Sequence, residues 1–307
     1  MDDHAGVHDY LDDPRNADVL ISVNGALKKR EEAVVSVFDS GFILGDGVWE
    51  GLRVVDGGVA FLEKHLKRLY AGAKTIDMDV GLAPEALAER LFDCLKANDM
   101  TDGVHVRLMV TRGIKKTPYQ GPRFTIGSAT IVIIPEYKAP LPETAAKGIS
   151  LATVHVRRTG PAEQDQKLNS HSKLNCILAC IQADKAGADE ALMLDPAGFV
   201  ATCNSTHFFI VTNGEVWTSP PEYCLGGVTR GNVLEVCRAA GVPAFEKRFS
   251  LFDVYNADES FVTGTFAGLT PVRAVDGREI ETVDGPVTQM LRDAYKAHMR
   301  ANLTPIQ

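Results

Sequence analysis

The sequence predicts an α+β protein of two domains. Strand-like and helix-like segments are mixed along the chain without the regular alternation of a doubly wound sheet. At 307 residues the chain has room for two medium domains. A proline-bearing stretch over 136–148, opening EYKAPLPETAAK, carries no long apolar run and divides two halves of similar character. The expected organisation is an acidic, loosely held leader over 1–17, an α+β domain over 18–135, a linker over 136–148 and a second α+β domain over 149–307.

The first half opens on a strand at 19–23, turned back by Asn24-Gly25. Residues 42–55 mix glycines with apolar residues and finish as a strand. Leu62, Leu66, Leu69 and Ala73 share one face of a helix over 62–74, and Leu87, Leu91 and Leu95 do the same over 84–98. Residues 104–111 alternate, setting His105, Arg107 and Met109 against Val106, Leu108 and Val110. Residues 129–134 read as a short buried strand.

The second half begins with a strand at 149–156 and a polar stretch at 157–172. A helix over 174–186 follows, with Leu174, Ile177, Leu178 and Ile181 as one apolar stripe. Strands are expected at 190–194, 207–212, 215–218 and 260–264, and helices at 229–240 and 286–300.

Composition narrows the function classes. The formal net charge is −8, which supplies no basic footprint for nucleic acid. No apolar run reaches the roughly 18 residues of a membrane helix, and the leader lacks the pattern of a secretory signal. The six cysteines form no CxxC pair, so buried free thiols in the cytoplasm are expected, and no metal site is singled out.

Two loops suit an anion. Leu225-Gly226-Gly227-Val228-Thr229-Arg230 feeds a helix whose unpaired N–H groups and dipole favour negative charge. Thr263-Gly264-Thr265-Phe266-Ala267-Gly268 is a small-residue loop directly after a strand. Neither matches a Walker loop or a dinucleotide fingerprint.

Taken with FDSGFILGDGVWEGLRVV, FLEKHLKRLYAGA and GADEALMLDPAGFVATCNSTHFFIV, the pair GGVTR and FVTGTFAGLTPVRAVDG resembles the class IV (fold type IV) pyridoxal 5'-phosphate enzymes. The motifs run in family order from residue 18 to 300, and the likeness is to branched-chain and D-amino acid aminotransferases. The resemblance implies a homodimer that binds the cofactor and moves an amino group between an amino acid and a 2-oxo acid. It implies Arg68, one helical turn after His65, as the arginine on the cofactor phosphate. It implies Val228, Thr229, Thr265 and Phe266 as further backbone or hydroxyl donors to that group.

Such chemistry uses a lysine that forms an internal aldimine and then shuttles a proton. Counting back from Gly187, the family's lysine position falls on Asn169, a departure from the pattern. Lys173 and Lys167 flank it in QKLNSHSKLN. Lys173, one turn further along, is the favoured amine and Lys167 the alternative. The family's glutamate beside the pyridine nitrogen falls on Thr202, and its asparagine on His207. A hydroxyl supports a protonated ring nitrogen less than a carboxylate does.

On the substrate side, Arg107 falls where branched-chain enzymes bind a carboxylate, a role suited to a guanidinium; its bland reading is an exposed strand arginine. Phe42, Trp49, Glu50 and Arg53 border the expected pocket, with Glu50 and Arg53 as a candidate ion pair. The arginine and histidine of the D-amino acid enzymes have no match in Ile114-Lys115-Lys116-Thr117, which tilts the reading toward L-amino acids. Two alternatives stand beside the aminotransferase: a lyase resembling aminodeoxychorismate lyase, and a relative without this cofactor that binds another phosphorylated ligand.

Overall fold

Strand Val104–Thr111 shows how the pattern becomes structure: Val104, Val106, Leu108 and Val110 are all at 0% exposure, with His105, Arg107 and Met109 on the opposite face. Each such buried apolar side chain contributes about 1.5–3 kcal/mol. In the computed structural model, which describes residues 6–306, this strand is central to an antiparallel seven-stranded sheet. Its order is Leu303–Pro305, Gly58–Ala60, Gly47–Val55, Val104–Thr111, Thr130–Tyr137, Ile21–Val23 and Ala26–Lys28. Helices Leu62–Thr75 and Pro84–Ala97 bury Leu66, Leu69, Leu87, Leu91 and Leu95 in the same core, the second opened by a proline at its first position.

The described chain divides into two compact units. The N-terminal unit, holding this sheet, comprises Asp12–Ala139, Leu168–Lys173 and residues 302–306. The C-terminal unit comprises residues 6–11, Pro140–Lys167 and Leu174–Ala301. Its mixed nine-stranded sheet runs Val200–Cys203, Glu190–Leu194, Ile149–Thr153, Gly268–Val275, Glu259–Gly264, His207–Thr212, Glu215–Thr218 and Ala244–Glu246, with Arg278–Glu279 paired to Gly268–Val275. Ile149–Thr153 lies parallel to both neighbours. Helices Leu174–Lys185, Val228–Ala239 and Pro286–Arg300 belong to this unit, and the α+β expectation holds in both.

Three local expectations look different in the structure. Of the leader over 1–17, residues 1–5 lie outside the described residues; beyond them Val7 is buried and Pro14–Asp18 forms a 3-10 turn capped by Asp13. The stretch 136–148 contains the end of strand Thr130–Tyr137 and a short helix, Pro142–Lys147. Helix Leu174–Lys185 buries Ala179 and Ala183 against Ala191 and Met193, leaving Leu174, Ile177, Leu178 and Ile181 exposed. Small residues allow close approach of the helix to the sheet, so the apolar stripe faces outward.

Candidate active site

Strand Gly47–Val55 carries different chemistry on its two faces. Val48, Glu50, Leu52 and Val54 share the core face, so the Glu50 carboxylate is fully buried. A buried charge needs partners, and helix Leu62–Thr75 supplies them. Arg68 Nε donates to Glu50 Oε1 at 2.8 Å and Arg68 Nη2 to Oε2 at 2.5 Å. His65 Nδ1 donates to Oε2 at 2.7 Å. The H-x-x-R spacing places both side chains on one helical face, one turn apart. Burial works to raise the Glu50 carboxyl, but Arg68 and His65 outweigh it and hold the group below its ordinary value. Burial pushes the His65 imidazole down against the pull of Glu50, favouring its neutral form.

Arg53 is on the other face and donates to the Lys138 carbonyl at 2.6 Å. The candidate Glu50–Arg53 pair is thereby corrected: residues three apart on a strand point to opposite faces. That other face gathers Trp49, Gly51 and, from the neighbouring strand, His105 and Arg107. The Arg107 guanidinium stacks on Trp49, its carbon 4.0 Å from the ring centre. Phe42 is 69% exposed on the short helix Ser40–Leu44.

Segment Leu168–Lys173 is stitched along the first half of the same strand. Trp49 N donates to the Asn169 carbonyl at 3.1 Å, and Asn169 Nδ2 returns a bond to the Trp49 carbonyl at 2.6 Å. Trp49 Nε1 donates to the Ser170 carbonyl, and His171 N to the Gly47 carbonyl. His171 Nε2 lies 3.0 Å from the Val48 carbonyl. Lys173 Nζ donates to Asn169 Oδ1 at 3.1 Å and stands 5.4 Å from the Trp49 ring centre. Lys167, by contrast, is 57% exposed and ion-paired with Asp165. The structure therefore brings the Lys173 amine to the end of the Asn169 side chain, beside Trp49, and leaves Lys167 in solvent.

The C-terminal unit holds the two loops expected to suit an anion. Helix Val228–Ala239 starts at Gly227 with no side-chain cap, so the N–H groups of its first turn lack intrahelical acceptors. Gly227 is required by packing: a Cβ there would overlap the His207 ring, which is held by a 2.8 Å bond to the Leu225 carbonyl. Thr229 is buried beside Tyr295, whose ring lies against Gly268. Tyr295 thus packs beside both the helix start and the turn carrying Thr265 and Phe266. Phe266 is buried and stacks on His8, with centroids 6.0 Å apart, which leaves its backbone as the polar group it can offer. Thr263 Oγ1 is buried with no hydrogen-bond partner among the described residues. Backbone N–H groups, hydroxyls and a helix dipole suit a phosphate.

Thr202 is buried and donates its hydroxyl to the Thr206 carbonyl at 2.9 Å. Behind it, Glu190 accepts from the backbone N–H and hydroxyl groups of both Ser205 and Thr206. Burial raises the Glu190 carboxyl, with those four bonds opposing. The contacts of Glu190 and Tyr295 and the bond from Lys173 to Asn169 were not legible in the sequence. Glu190, Tyr295 and Asn169 each have a partner distant along the chain.

Comparison with known proteins agrees with this geometry. The family model described as Amino-transferase class IV matches residues 47–275. The chain is 40% identical over 294 residues to branched-chain-amino-acid aminotransferase-like protein 2 of Arabidopsis thaliana, covering 95% of this chain and 52% of the relative. It spans about half the length of that relative and of like protein 1 from the same plant. A putative branched-chain-amino-acid aminotransferase of Methanocaldococcus jannaschii is 39% identical over 280 residues, covering 90% of this chain and 95% of the relative. Among solved structures, a T.th. branched-chain amino acid aminotransferase with pyridoxamine 5'-phosphate aligns with a TM-score of 0.87 at 31% identity, covering 94% of this chain and 99% of that one. By sequence and by fold, the chain belongs to the class IV aminotransferase family.

Proposed function

We propose that the chain is a pyridoxal 5'-phosphate-dependent aminotransferase that moves an amino group between an amino acid, branched-chain by preference, and a 2-oxo acid. The observation that carries this reading is the Lys173 amine held at the Asn169 side chain beside a tryptophan on which a guanidinium stacks. The donor set of the C-terminal unit, Val228, Thr229, Thr265 and the Phe266 backbone, fits the phosphate of the cofactor, and Arg68 is the arginine that the family pattern assigns to that group. When bound, the cofactor supplies an aldehyde to receive the amino group and a conjugated ring to delocalise charge. Lys173 would be the amine that meets this aldehyde, and its Nζ would hold and move the proton at the substrate carbon. The Arg107 guanidinium orients the substrate carboxylate. Glu50 and His65 hold Arg68 in one orientation. Thr202, whose hydroxyl is donated to the Thr206 carbonyl, would stand at the ring nitrogen by the family pattern.

Two further features complete the reading. Val34, Val37, Phe38 and Phe42 form an exposed apolar run in one unit, and Leu174, Ile177, Leu178 and Ile181 another in the second. Both support a homodimer, since exposed apolar patches of this kind are covered in assemblies. The six free thiols support a reducing, cytoplasmic setting. Among the described residues no helix is long and apolar enough to cross a membrane.

The test is to load the protein with pyridoxal 5'-phosphate, reduce with borohydride and map the labelled peptide. The label is expected on Lys173. A label on Lys167 transfers the role to that residue, and an unlabelled protein overturns the reading. A second reading, a lyase of the same fold, is favoured by Thr202 standing where a carboxylate would strengthen the electron sink. Pyruvate released from an amino acid without a 2-oxo acid acceptor selects it.

A further inference from the structure

We propose that Asn169 is a positioning residue that seats the Lys173 amine for its bond to the cofactor aldehyde. The inference rests on the aminotransferase reading and deepens it. Asn169 is 5% exposed, and both ends of its amide are committed. Its Nδ2 faces the Trp49 carbonyl at 2.6 Å, which leaves only Oδ1 to meet Lys173 Nζ at 3.1 Å. An amide oxygen accepts from the amine without adding charge.

The alternatives at this position fail on the same geometry. A carboxylate would turn an oxygen toward the Trp49 carbonyl and tie the amine as an ion pair. A lysine would set a second cation beside Lys173, with Arg107 already stacked on the same indole. A small apolar residue would leave both the carbonyl and the amine without this partner. The surroundings are rigid: the Trp49 and Asn169 backbones are bonded to each other, and Trp49 Nε1 is fixed on the Ser170 carbonyl.

The experiment compares two forms of the cofactor on the full chain. Binding of pyridoxal 5'-phosphate includes the bond from Nζ to the aldehyde carbon, formed with release of water. Binding of pyridoxamine 5'-phosphate, which has no aldehyde, reads the non-covalent contacts alone. Asn169→Ala is expected to weaken pyridoxal 5'-phosphate about tenfold or more while leaving pyridoxamine 5'-phosphate within about twofold, as Lys173→Ala does more strongly. Asn169→Asp, which keeps the side-chain shape, is expected to show the same selective loss and serves if the alanine variant does not fold. Equal loss of both ligands, or loss of neither, overturns the role assigned to Asn169 while the aminotransferase reading stands. A wild-type chain that binds neither ligand overturns both.

Discussion

The two units prepare for charge by opposite means. The C-terminal unit offers backbone N–H groups at the Gly227 helix start, packed among neutral side chains such as Tyr295 beside Thr229. The N-terminal unit offers whole charges: Arg68 clamped by a buried Glu50, and Arg107 and Lys173 on the faces of Trp49. Backbone donors are set by chain path and tolerate side-chain change, provided the path survives. Ionic donors depend on each partner being present, because a buried charge that loses its counter-charge is strongly destabilising. Damage should therefore look different in the two units.

The largest effect is expected at the ionic face. Glu50→Gln leaves Arg68 against a neutral amide in a buried site and is expected to cost about 3–5 kcal/mol of stability, measured by denaturant unfolding. A loss under about 1 kcal/mol would show that solvent already compensates Arg68 and would erase the contrast. A smaller effect, of steric origin, is expected at the Gly227 helix start. Gly227→Ala forces the new Cβ onto His207 and is expected to destabilise by about 1–3 kcal/mol. Gly226→Ala next to it meets nothing within 4 Å and should change stability by less than about 0.5 kcal/mol. Equal responses from the two glycines would show that the helix start, and not the His207 contact, decides the cost.

The smallest effect concerns pH. Burial lowers the His65 pKa from its ordinary 6.5, so the unfolded chain takes up its proton at higher pH than the folded one. Stability conferred by neutral His65 is present above that ordinary value and is lost as pH falls below it. The depressed Glu50 carboxyl adds to the loss only as pH falls below its ordinary 4.5. Melting temperature should therefore decline between about pH 7.5 and 5.5, and His65→Gln, which keeps a donor for Glu50, should flatten the decline. An unchanged slope in that variant would assign it to other groups.

Much of the fold was legible because its signals are local. The alternation of residues 104–111, the leucine faces of the two N-terminal helices and the Asn24-Gly25 turn each specify an element within a few residues. The glycine turn before Val228 announced a helix start in the same way. Legibility failed where the deciding partner was remote. Glu50 reads equally well as a partner for Arg53 until the pleat puts them on opposite faces. The stripe Leu174, Ile177, Leu178 and Ile181 is legible as apolar, but that it faces outward shows only once Ala179 and Ala183 are found against the sheet. Asn169 reads as a missing lysine, yet its amide is bonded to a residue 120 positions earlier in the chain.

By itself the sequence determined the succession of strands, helices and glycine turns, and with it the family, because these follow from short-range periodicity and backbone preference. Only the tertiary structure decided which charge neutralises Glu50, which face of the helix after Lys173 is covered, and which amine meets Asn169. Those outcomes depend on side chains from distant segments sharing one buried space, where the strength of each interaction is set by burial and by partners that no local pattern encodes.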